Sequence, residues 1–150
     1  MRTAMIMSAF IMLFAGCGDS NYRDPEIAEF YHKQALEKAK YEDWLSEKEA
    51  EREKYVQDDE MIDERSKIAV AKQQIYVDMP FEDAKVSWNT YRWELGSRNS
   101  YGYETWLLYS CYGFEYFSFT NDYLIRCSDS AKWTLVFMNK KLKSWTEWGF

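Results

Sequence analysis

Residues 101–147 read YGYETWLLYSCYGFEYFSFTNDYLIRCSDSAKWTLVFMNKKLKSWTE. Apolar and polar side chains alternate along much of this run, and turn formers interrupt it at Tyr112-Gly113, Asn121-Asp122 and Asn139-Lys140. A period of two is the pattern of half-buried strands, and Asn or Gly in a two-residue loop tolerates the positive φ that tight hairpins need. The stretch therefore predicts strands at 104–111, 114–120, 123–128, 132–138 and 141–147, joined as an antiparallel meander. Register counted from those turns puts Trp106, Leu108, Phe117, Phe119 and Leu124 on one face. Leu107, Tyr109, Cys111, Phe114, Tyr116, Tyr123, Ile125 and Cys127 fall on the other. Both faces are apolar, so each needs a cover, from a helix or from a partner.

The chain before these strands is built differently. Residues 76–150 carry 20 of the 28 aromatic side chains, whereas residues 18–75 carry 16 acidic against 10 basic ones. Asp24-Pro25-Glu26 is a good helix start: an N-cap acceptor, a proline at the first helical position, and a carboxylate facing the positive end of the dipole. No Gly or Pro follows until Pro80. A helix from 25 to 74 would reach about 75 Å, longer than a small domain is wide. Its heptad seam includes Ile27, Tyr31, Lys38, Tyr41, Leu45, Lys48, Arg52, Tyr55, Ile62 and Ala69, and only half of the full seam is apolar. This predicts a largely solvated stalk that packs at its ends, Ile27 to Leu45 and Ile62 to Ala71, but not in its middle. The acidic run Asp58-Asp59-Glu60 is a candidate break. Pro80 stops the helix, and Ile75-Tyr76-Val77 favours strand. Phe81, Ala84, Trp88, Tyr91 and Leu95 then recur at steps of three and four, which predicts a short amphipathic helix capped by Gly96.

The expected fold class is thus α+β: a long N-terminal charged helix, a short amphipathic helix, and a C-terminal antiparallel β-meander of about five strands. The expected divisions are a leader at 1–16, a tether at 17–24, the charged helical stalk at 25–74 and an aromatic-rich α+β domain at 75–150.

The leader rests on Arg2 followed by an apolar run from Ala4 to Ala15. Twelve residues span only about 18 Å as a helix, short of the roughly 30 Å hydrocarbon core, so the pattern is that of an export signal. Leu13-Phe14-Ala15-Gly16-Cys17 resembles a bacterial lipobox, with Phe14 where Leu is commonest. That resemblance implies a diacylglyceryl thioether on Cys17 and an acylated amino terminus after cleavage. Two or more acyl chains hold a protein stably at a membrane that it does not cross. An ordinary secretion signal with an incidental cysteine is the alternative. Gly18 stands where an Asp would resemble an inner-membrane retention signal, which favours the outer membrane if the cell has two.

Composition excludes several chemistries. A net charge of −6 and a pI near 4.9 offer no basic footprint for nucleic acid. With one His, three Cys and no Gly-rich phosphate loop, no common metal, cofactor or nucleotide site can be assembled. His32 sits on a charged helix with no second ligand at metal spacing, and the clustered carboxylates read as solvated surface. No metal, no cofactor and no catalytic residue is expected. Cys111 and Cys127 form an even pair once Cys17 is committed to lipid, and an oxidising compartment would favour a disulfide. The hairpin register at Tyr112-Gly113 opposes it, because that register leaves a strand between them. The pairing stays open at this stage. Tyr109, Tyr116 and Tyr123 form a candidate interaction surface, since tyrosine combines flat apolar area with a polar tip.

From Asp78 to Asp129 the chain resembles the small outer-membrane-assembly lipoproteins of the SmpA/OmlA type. Met79 opens the helix, Glu104-Thr105-Trp106-Leu107-Leu108-Tyr109 stands for the family's Trp-containing strand, and Phe119-Thr120-Asn121-Asp122-Tyr123-Leu124 for its aromatic hairpin. Asp78 replaces the family's Gly, the closing Gly-x-Pro of the helix is missing, a further hairpin follows, and the long charged helix has no counterpart. The resemblance implies a two-layer α+β lipoprotein that binds other envelope proteins, without identifying a partner. The expected function is a non-enzymatic, membrane-anchored interaction or assembly module. The alternative is a glycan- or ligand-binding lipoprotein, including the receptor-blocking kind carried by phages and plasmids. Metabolic labelling with a palmitate analogue checks the anchor: the wild type should take up label and Cys17→Ala should take up none.

Overall fold

The computed structural model describes residues 25–58 and 62–148, so the leader, Cys17 and Asp24 lie outside the described residues. The fold is α+β. Helices α1 (Pro25–Asp58), α2 (Glu64–Ala71) and α3 (Phe81–Ser87) precede strands β1 (Tyr91–Arg98), β2 (Tyr103–Phe117), β3 (Asp122–Cys127), β4 (Trp133–Met138) and β5 (Lys141–Glu147). All strand pairs are antiparallel, in the order β1-β2-β4-β5, with β3 pairing β2.

The spine is β2. Its 15 residues extend about 46 Å at the usual rise per residue. The carbonyls of Leu108 and Ser110, two residues apart and so on the same edge, accept from the backbone N–H groups of Lys132 (2.7 Å) and Ser128 (2.8 Å). Consequently β3 and β4 follow one another along one edge of β2, and residues 128–132 bulge out between them. The expected turn at Tyr112-Gly113 does not form. Neither Tyr112 nor Gly113 has the positive φ that a type I′ or II′ hairpin loop needs, and Tyr112 is instead the extra residue of a bulge between Cys111 and Gly113. The strands expected at 104–111 and 114–120 are therefore one strand. At Asn139-Lys140 both φ values are positive (51° and 63°), and the expected hairpin between β4 and β5 is present. Asn121 (φ 54°) closes the β2–β3 loop.

A second correction concerns residues 88–95. The amphipathic helix ends at Ser87, and Tyr91–Arg98 is an edge strand of the sheet. Tyr91-Arg92-Trp93-Glu94-Leu95 alternates aromatic or aliphatic with charged residues, which is a strand pattern as much as a helical one. Pairing with β2 satisfies its backbone along one side, and Tyr91, Trp93 and Leu95 still point to the face that the helix would have covered. Gly96 caps no helix: it sits at a bulge in β1, where an added Cβ would meet Leu107 Cγ at 3.3 Å.

The core lies between this face and the helices. Val70, Met79, Ala84, Leu108, Leu135, Phe137 and Leu142 are fully buried, and Phe81 stands at their centre with its ring 5.0 Å from Trp106, 5.1 Å from Phe137 and 6.0 Å from Trp93. Ile75-Tyr76-Val77 forms no strand. The segment after it threads residues 78–81 along the start of β5, with Asp78 N–H donating to Leu142 O (2.6 Å) and Leu142 N–H to Met79 O (2.9 Å).

The helical region is not one rod. α2 starts afresh at Asp63, whose side chain accepts from Ser66 N–H (2.9 Å), and ends in a Schellman pattern with Gln73 at φ 55°. The expected packing along the helix is reversed in part: Ile27, Phe30, Tyr31 and Leu36 are exposed, while Tyr55 and Val56 pack against the core and Arg52 is buried. The composition break at Ile75 is thus no packing boundary, because Ala69 and Val70 of α2 belong to the same core as the sheet.

Trp106→Ala should lower stability by about 3 kcal/mol or more, since truncating a packed core aromatic loses both burial and contacts. Phe119→Ala, at a fully exposed ring, should change it by less than about 0.5 kcal/mol. Urea midpoints of the two variants check both.

Candidate interaction surfaces

α1 docks through polar latches rather than an apolar seam. One residue beyond Ser110, the carbonyl of Cys111 points to the edge of β2 opposite β3, just past the point where β1 begins at Tyr91. Tyr41 Oη donates to that carbonyl at 2.9 Å, so α1 continues along the edge that β1 leaves bare. Trp44 meets Phe114 edge-on at 6.5 Å. Further along, Arg52 Nη1 donates to Asn89 Oδ1 (2.6 Å), Asn89 Nδ2 donates to Lys48 O (2.8 Å), and Tyr55 Oη donates to Asp83 Oδ1 (2.9 Å). Tyr41, Lys48, Arg52 and Tyr55 all lie on the heptad seam. The seam marks the docking face, but its chemistry is hydrogen bonding, which a count of apolar residues passes over.

The three tyrosines singled out as a contact surface are all engaged within the chain. Tyr109 is only 9% exposed, with the Arg92 guanidinium 4.3 Å above its ring. Tyr116 and Tyr123 pack on each other at 5.2 Å, and α1 lays Lys33 and Lys40 over their rings at 5.9 and 4.7 Å. The cover foreseen for that face near the hairpin is therefore α1 itself. Cys111 and Cys127 face each other directly across β2 and β3 and are disulfide-bonded. The sequence register opposed this pairing only because it assumed a turn at Tyr112-Gly113. In the chain-entropy account, a loop of this size is worth about 3 kcal/mol of stability.

Among the described residues, two surfaces expose apolar side chains. One is the sheet face opposite the core, where Tyr103, Leu107 and Val136 project away from Leu108 and Leu135, and where Trp148 Nε1 donates to Thr134 Oγ1 at 2.7 Å. Tyr103 and Trp148 are exposed there, and Leu107 and Val136 are half-buried. The other is the far end of the β2–β3 hairpin, with Phe117, Phe119 and Leu124 in solvent.

Among the described residues no group of His, Cys, Asp and Glu is arranged to hold a metal ion, and His32 is exposed on α1. A groove of about 450 Å³ between α1 and α3 is lined by Lys48, Tyr55, Glu82, Lys85, Asn89 and Trp93, and pairs no nucleophile with a base. The one buried carboxylate of the sheet is Glu104, 7% exposed, at the end of the core face. Burial pushes its carboxyl up, but the Trp106 indole N–H (3.2 Å), Lys140 (3.2 Å) and Arg98 (2.8 Å) outweigh that and hold it below the ordinary carboxylate range. This is a structural anchor for the β1–β2 and β4–β5 turns. Sequence reading missed it because its partners come from three separate segments.

Comparison with known protein families, curated proteins and solved structures finds no match to this chain.

The lowered carboxyl of Glu104 fixes a pH dependence. A group whose folded-state pKa is depressed stabilises the fold above its unfolded value, and that contribution is lost as pH falls through the folded value. Glu104→Gln should therefore be less stable than wild type at pH 7, and the difference should shrink as pH falls below the ordinary carboxylate range. Thermal melts of the two proteins between pH 7 and acid check the sign.

Proposed function

We propose that the protein is a non-enzymatic lipoprotein, anchored through Cys17, that presents its sheet domain to another envelope protein. The observation that carries this reading is the sheet face opposite the core, where exposed Tyr103 and Trp148 flank half-buried Leu107 and Val136 on a paired scaffold. Exposed apolar patches on a packed sheet mark contact sites, and aromatic residues are enriched at their energetic centres. Disulfides persist in oxidising compartments, so the Cys111–Cys127 bond supports export. No helix among the described residues is long and apolar enough to cross a membrane.

The SmpA/OmlA resemblance supports the same reading as an analogy. Asp78 stands where that family has Gly, and its φ of 72° is a conformation that Gly adopts freely. The contact surface proposed here is the face around Leu107, not the tyrosines at 109, 116 and 123. A photo-crosslinking side chain at Tyr103 or Val136 should yield a discrete protein adduct in intact cells, and one at Glu64, exposed on α2, should not. Adducts with glycan alone would instead favour a ligand-binding or receptor-blocking lipoprotein.

A further inference from the structure

We infer that the tip of the β2–β3 hairpin and the first turns of α1 together form a membrane-contact surface, seated in the headgroup region of a phospholipid leaflet. The inference rests on the anchored reading above and adds an orientation to it.

Four observations carry it. Phe117, Phe119 and Leu124 crowd the hairpin tip and are exposed, with Phe119 entirely so. Ile27, Phe30 and Tyr31 of α1 are exposed as well, at spacings of three and four that put them on one side of the helix. The two groups lie at the same end of the molecule. Tyr41 meets Cys111 at the base of the ribbon and Lys33, eight residues earlier on α1, meets Tyr116 near its far end, so the tip beyond Tyr116 lies toward the turns that precede Lys33. Phe30, three residues before Lys33, faces the same way as that lysine. Finally, the chain before α1 holds the apolar run Ala4 to Ala15 and Cys17, and eight residues from Cys17 to Pro25 reach at most about 28 Å. An acyl chain on Cys17 therefore holds this end, and not the opposite one, against the membrane.

The chemistry sets the depth. Aromatic side chains with polar neighbours favour the membrane interface over its interior. Glu26 and Glu29 share the first turns of α1 with the apolar group, and Glu115 and Asp122 stand across the ribbon from Leu124 and Phe117, so the contact does not depend on anionic lipid. A tip seated in the leaflet directs the sheet face of Tyr103, Leu107 and Val136 away along the roughly 46 Å of β2.

The test uses the full chain, recovered from membranes and reconstituted into phosphatidylcholine vesicles. Ser118→Cys at the tip or Ser100→Cys at the opposite end of β2 carries an environment-sensitive NBD fluorophore. The label at 118 should emit blue-shifted and lose most of its emission to doxyl-labelled lipid, whereas the label at 100 should do neither. Adding Phe117→Ser and Phe119→Ser should abolish the shift at 118. Equal, water-like emission at both positions overturns the inference. So does a blue shift at 118 that doxyl lipid does not quench, because the tip is then covered by protein: a second copy, a partner or the chain's own apolar segment. The intact mass of the same preparation reports acylation of Cys17 separately, so failure of the anchor and failure of the tip contact are distinct results.

Discussion

Everything in this structure depends on β2 passing through Tyr112-Gly113 without turning. Because it does, one strand serves two structures: its first half is the centre of a four-stranded sheet, and its second half is one side of a two-stranded ribbon. An isolated ribbon is marginal in water. Here it is stabilised by the Cys111–Cys127 bond at its base and by α1 along its open edge. The bulge at Tyr112 brings the two cysteines opposite each other and leaves the Cys111 carbonyl free for Tyr41.

That one local choice explains where the sequence was legible. The β4–β5 hairpin could be read because Asn139-Lys140 needs only local chemistry, two positive φ values. The α+β class and the placing of Trp106 with Leu108 on one face followed from alternation. Gly113 was misread because glycine serves a bulge as readily as a turn, and only the cysteine pair pointed to the right register. Residues 91–95 were misread because helical and strand periodicities overlap over so short a span, and the sheet decided between them by offering β2 a partner. The docking of α1 was hidden for a different reason. Arg52, Asn89, Tyr55 and Asp83 are polar residues whose partners are 28 to 37 positions away, and no hydrophobic pattern records such contacts.

The candidate contact sites show the same division. The tyrosines that looked available from their face of the strand are occupied by Arg92, Lys33 and Lys40. Among the described residues, exposed apolar side chains remain on the sheet face around Leu107, at Tyr103 and Trp148, and at the hairpin tip around Phe119. They lie toward opposite ends of β2. On the proposed reading, in which one end meets a membrane and the other a partner, α1 laid along the ribbon edge braces the long strand between them.

The most direct measurement of the β2 register is a tryptic peptide map of the unreduced, alkylated protein. Cleavage after Arg98, Arg126 and Lys132 separates the two cysteines onto peptides 99–126 and 127–132. The account predicts a single species in which these two peptides are joined and neither cysteine is alkylated. Recovery of both peptides separate and alkylated, or of either joined to Cys17, would contradict it.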